Sequence, residues 1–192
     1  QEMVGRGHEL HVFCPALEDP AGVQAKFGIR LHEFRGWRMG RYARLRNLKY
    51  LLYPAALTRL VRRTANSAGA AHFDALVSQH TISAVAAGRL RRELGVPAVL
   101  NFLDYLTGFM ETWPSWVLPR PALHVLNRYE MSLPRRFDVE GVMTVSDPLA
   151  DRFVATGFPR ERVQAIQYGY DPGLFRMDPA RATGGSGAEA SP

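Results

Sequence analysis

With 192 residues, 46% of them apolar and 22% charged, the chain is long enough to bury a sizeable core and too apolar to be disordered. No apolar run reaches the roughly 18 residues that a bilayer-spanning helix needs, and the opening QEMVGRGHEL lacks the apolar core of a signal peptide. The formal net charge is +6 and the only cysteine is Cys14, which excludes an internal disulfide framework and a thiolate zinc site. Cys14 reads as a small apolar residue beside a strand end, and its isolation fits a cytoplasmic protein.

In chain order, GRGHELHVFCP opens at a helix end, with Gly5 or Gly7 as the stop, and a strand follows over 9–14. GIRLHEF, 28–34, alternates and reads as a second strand. From Arg35 to Arg63 there are nine Lys or Arg and no Asp or Glu. Such an excess suits a phosphate-rich partner: anionic lipid, nucleic acid or nucleotide. Pro54 cannot donate a helical hydrogen bond, so it divides this stretch into helices over about 41–52 and 54–66.

FDALVSQH, 73–80, predicts a strand, and TISAVAAGRLRREL a helix stopped at Gly95. VPAVLNF, 96–102, is almost continuously apolar, as in a strand buried on both faces of a parallel sheet. A loop rich in Gly, Trp and Pro leads to a helix over about 122–133, whose Glu130 is assigned to the helix surface. GVMTVS is another strand. Ser146 then serves as N-cap of the helix DPLADRFVATG, with Pro148 in its first turn. RVQAIQYG is the last strand, and residues 180–192 are small, polar and Gly-rich, as in a tail or linker.

Strands alternating with helices predict an α/β domain, residues 1–179, built on a mostly parallel sheet. Ligands of such sheets bind outside the carboxyl ends of the strands, which directs attention to Pro15, His80, Asp104, Tyr105, Ser146 and Gly169. Several motifs fail. The Gly-x-Gly of GRGHEL precedes a strand, whereas phosphate cradling requires it to follow one. No nucleophile elbow appears, and the histidines of HELH point to opposite sides of an alternating strand, so no metal site is expected.

Three ordered stretches carry a resemblance: GRGHELHVFCP, FDALVSQHTISAVAAGRLRRELGVPAVLNFLDYL, and GVMTVSDPLADRFVATGFPRERVQAIQYGYDPGLFRMDP. Together they resemble the N-terminal, acceptor-side domain of GT-B-fold glycosyltransferases of family four, over residues 1–179. The resemblance implies a Rossmann-like sheet flanked by helices, one half of a GT-B fold, truncated at both ends. The first strand would lie before Gln1, and the donor-binding domain, the expected partner, after Pro192. It implies a retaining transferase that moves a sugar from a nucleotide-diphosphate sugar to a saccharide or lipid-linked acceptor. No metal or cofactor is implied in this segment, which would be inactive alone. Tyr168 departs from the family's usual Asn, and Leu103 stands where many members have a His before the Asp.

Within that frame Asp104 is the candidate catalytic residue, and His80, Tyr105, Glu111 and Trp113 are candidates for acceptor or sugar binding. Gly169, Asp171 and Phe175 form a structural corner that closes the domain: a turn-permitting glycine, a backbone-capping carboxylate and a packing ring. Arg38, Arg41, Arg44, Arg46 and Lys49, interleaved with aromatics, are candidates for contact with an anionic membrane surface at the inner face. A competing reading is a non-enzymatic basic α/β module that binds nucleic acid or anionic lipid, although no helix-turn-helix, zinc or RNA-recognition signature accompanies the charge. Without a first strand, the strands at 9–14 and 73–80 are expected either to pair directly or to leave a gap, with marginal stability.

Overall fold

The structure, a computed structural model, describes residues 2–34, 48–67, 72–116 and 118–166. Its elements run α1 (Glu2–Gly5), β1 (His11–Pro15), α2 (Pro20–Phe27), β2 (Arg30–Phe34), α3 (Leu48–Ala65), β3 (Leu76–Gln79), α4 (His80–Leu94), β4 (Ala98–Phe102), α5 (Leu106–Met110), α6 (Arg120–Phe137), β5 (Gly141–Thr144), α7 (Asp147–Ala155) and β6 (Val163–Ala165). A short 3-10 turn, Arg160–Arg162, leads into β6.

Every strand pair is parallel, as the alternation of strands and helices requires. The strands form two sheets, however: β1 with β2, and β3-β4-β5-β6 in that order. Of the two arrangements open to β1 and β3, the protein adopts the gap. The helix layer continues where the sheet is interrupted. α3 lies against β1 and β2 and packs on α4, α4 covers β3 and β4 and packs on α6, and α6 packs on α7. An aromatic cluster contributes to the bridge, with Phe73 edge-on to His11 and Phe13 at centroid distances of 5.4 and 6.0 Å.

The register explains the main core. Ser78, Leu100 and Val142 are partners across neighbouring strands, as are Phe102 and Thr144, and all are buried on the face beneath the helices. The Phe102 ring lies 4.6 Å, centroid to centroid, from Phe153 of α7 at a tilt of 45°, and both rings are fully buried. Burial of such a ring stabilises the fold by about 1.5–3 kcal/mol. β4 is therefore buried on one face only: Val99 and Asn101 on the other are partly exposed, and their neighbour Val77 is 59% exposed. This corrects the expectation of burial on both sides, because no described element covers that second face.

Two further expectations change, and one helix is new. α2 was not legible in the hydrophobic pattern: it carries no buried residue and is set by its ends, with the Asp19 carboxylate accepting from Gly22 N at 2.8 Å. Pro54 does not divide the basic segment. α3 runs through it, and the Thr58 hydroxyl donates to the Pro54 carbonyl at 2.7 Å. Packing on α4 through Leu57 and Val61 outweighs the local penalty of the proline. Ser146 occupies the N-cap of α7 in extended conformation, but its side chain makes no capping hydrogen bond. α4 does stop at Gly95, in the left-handed conformation that glycine adopts without strain. Cys14 is half-buried in β1, and burial pushes its thiol up from the ordinary range, with Glu33 adding to the effect.

Candidate functional site

The carboxyl edge of β3 and β4 collects the polar groups. β3 ends at Gln79, and His80 begins α4 with a positive φ of 64°, an unusual conformation for a residue with a side chain. β4 ends at Phe102, and the chain turns through Asp104 and Tyr105 into α5. That turn sets Asp104 Oδ1 3.4 Å from His80 Nδ1, with both side chains open to solvent. A ligand hydroxyl placed there would meet a carboxylate acceptor and an imidazole together.

The edge is held from behind by Glu130 of α6. Assigned to the helix surface from sequence, Glu130 is instead 2% exposed. Its Oε1 accepts from Leu106 N at 2.6 Å and from the Thr81 hydroxyl; its Oε2 accepts from Thr107 N at 2.9 Å and the Thr107 hydroxyl at 2.6 Å. One carboxylate thus ties the first turn of α4, just after His80, to the first turn of α5, just after Asp104. A buried charge is tolerated when its acceptor sites are filled in this way. Asn127, one turn earlier on α6, donates to the Thr107 hydroxyl at 2.7 Å and extends the network.

Asn127 also lines a cavity of about 740 Å³ between the loop after α5 and the start of α6, together with Glu111, Trp113, Arg120, Leu123 and His124. The volume suits a small ligand, and the lining combines an aromatic ring with acceptor and donor side chains. Tyr105 turns elsewhere. The Arg152 guanidinium sits 4.5 Å from its ring centroid and its ring covers Gly108, so Tyr105 packs the turn against α7. The structure therefore brings His80 and Asp104 together at one edge, and Glu111 and Trp113 together in a neighbouring cavity. Glu130, Thr81, Thr107 and Asn127 are the residues that sequence reasoning missed. One signal was available: Leu123, Asn127, Glu130, Pro134 and Phe137 recur at helical spacing, and that stripe faces inward.

Gly169, Asp171 and Phe175 lie outside the described residues, as do Arg38, Arg41, Arg44 and Arg46; Lys49 falls in the first turn of α3, at a position where only the backbone is described. The tail at 180–192 is outside them too. Among the described residues no cluster of three or more His, Cys, Asp or Glu could hold a metal ion, and no helix is long and apolar enough to cross a membrane.

Parallel strands under a helical layer, with the polar groups gathered at the strand carboxyl ends, define a Rossmann-like half of a GT-B fold. A family model described as Glycosyltransferase Family 4 matches residues 1–174, and the chain belongs to that family. It is thereby a glycosyltransferase domain of the N-terminal type. No curated protein matches the chain.

Proposed function

We propose that this domain holds the acceptor of a retaining glycosyltransferase, which receives a sugar from a nucleotide-diphosphate sugar bound by a separate donor domain. The observation that carries the reading is the cavity lined by Glu111, Trp113, His124 and Asn127 beside the His80–Asp104 edge, in a chain of this family. Trp113 offers a face for a sugar ring, and the polar lining offers partners for its hydroxyls. Asp104, 75% exposed and braced by His80, orients the hydroxyl nearest the reacting centre. The chief phosphate contacts come from the donor domain, so residues 1–192 alone bind acceptor without turnover. The acceptor is a saccharide or lipid-linked saccharide, and the work is done in the cytoplasm, at the inner face of the membrane. The basic run from Arg35 to Arg63 supports that location.

The test is to supply the chain, joined to a donor domain, with a panel of nucleotide-diphosphate sugars and acceptors, and to follow nucleotide release and product anomer by NMR. Retention of configuration is expected, with Asp104→Asn and Trp113→Ala each lowering kcat/KM at least tenfold, or by about 1.4 kcal/mol. Inversion of configuration, or full activity in both variants, would refute the reading.

A further inference from the structure

We propose that the outward face of α6, with Trp116 ahead of it, docks on an anionic lipid surface. The inner stripe of this helix is spent on the core. Its outer stripe, at the same helical spacing, holds Val125, Arg128, Tyr129 and Arg136, with Leu126 at the margin. Val125 is 65% exposed, and Leu126 and Tyr129 are each 41% exposed. Trp116, on the loop leading into the helix, is 84% exposed. Single exposed apolar residues mean little, but these are neighbours along one helix of 18 residues, about 27 Å long.

Charge selects the occupant. The only acid on α6 is Glu130, which is buried and fully engaged, so the outer stripe carries no negative charge. Arg120 and Arg128 have no carboxylate within ion-pair distance among the described residues, and Arg136 lies over the Tyr129 ring at 5.5 Å. A nucleic acid would engage the arginines and the rings but gain nothing from the aliphatic Val125 and Leu126. An anionic bilayer engages both sets: headgroups meet the arginines, and the apolar residues and the amphipathic Trp116 enter the interface. Arg120 and His124 line the acceptor cavity on this same helix, so a docked domain keeps that cavity within about a helix diameter of the lipid surface. The corollary, that the acceptor is lipid-borne, rests on the proposed acceptor site; the docking itself does not.

The experiment is flotation of the full chain with vesicles of phosphatidylcholine, alone or with phosphatidylglycerol. Flotation only with the anionic vesicles, weakened by salt, is expected. Trp116→Ser should lower partitioning about tenfold and Arg128→Ala about fivefold, while Val125→Asp abolishes flotation with the melting temperature unchanged. Failure of the wild-type chain to float overturns the proposal. So does flotation that survives all three substitutions and is lost only with Arg41→Ala and Arg44→Ala, which would assign docking to the other basic segment. A Val125-dependent dimer that does not bind vesicles would assign the face to a second copy and overturn it equally. If flotation fails while transfer to a soluble acceptor proceeds, the docking inference falls and the transferase reading stands. If flotation succeeds and the chain joined to a donor domain consumes no donor, the reverse holds.

Discussion

Replacing Glu130 by Gln tests whether one buried carboxylate organises the candidate site. The wild-type side chain presents two acceptor oxygens, and a backbone N–H points at each: Leu106 N at 2.6 Å and Thr107 N at 2.9 Å. Glutamine has one acceptor oxygen, and its amide nitrogen only donates, so whichever way it lies one of these peptide N–H groups faces another donor. The hydroxyls of Thr81 and Thr107 can rotate, but Thr107 already accepts from Asn127. The stranded N–H costs about 1–3 kcal/mol, and loss of charge assistance in the remaining bonds about 1–2 kcal/mol more. Relief from burying a charge offsets part of this. The net expectation is a loss of about 2–4 kcal/mol, which at this chain length lowers the melting temperature by about 5–12 °C. Thermal denaturation followed by circular dichroism reads it directly, with Glu130→Ala, which strands more donors, falling lower still. A Glu130→Gln variant that melts within about 2 °C of wild type would refute the network as a structural determinant.

Other sites give further tests. Alanine at Gly88 of α4 would set a Cβ 2.2 Å from Phe137 Cγ and 2.4 Å from Cδ2. The helix-propensity gain of about 1 kcal/mol is outweighed by overpacking of about 1–3 kcal/mol or more. Urea unfolding should therefore show net destabilisation in wild type, and reversal of the sign in a Phe137→Ala background. His80→Gly removes the strain of φ 64° and should stabilise the fold by about 0.5–1 kcal/mol while weakening acceptor binding by calorimetry; unchanged binding would discount the His80–Asp104 edge. His32 stacks on Phe13 and meets His11 Nδ1 at 2.9 Å, and burial first, then His11 and Arg30, hold its pKa below 6.5. Between its folded pKa and 6.5 the unfolded chain binds more protons at this residue. Its contribution to stability is thus complete above about pH 6.5 and declines below it, so urea midpoints should fall from pH 7.5 to 5.5 with a slope that His32→Phe reduces.

Much of the fold was legible because it is written locally. The helix ending at Gly95, the helix starting after Ser146 and the order of the strands follow from spacing and from chain terminators within a few residues. The reach of that information is short. α2 buries nothing, so it left no hydrophobic period to read. Pro54 argued for a break because a proline's local penalty is visible in sequence, whereas its compensation, the packing of Leu57 and Val61 on α4, is not.

The sequence by itself determined the class of domain, its parallel character and its family, since these rest on periodicity and ordered motifs. It also placed Asp104 and His80 at strand ends. Only the tertiary structure decided that these two residues meet, that Tyr105 packs away against Arg152, and that Glu130 is an interior residue. The physical reason is separation along the chain. Glu130 is bound by groups 23, 24 and 49 residues away, and a buried carboxylate becomes favourable only when all of those donors converge on it. No local pattern records that convergence; it exists only once α4, α5 and α6 have docked.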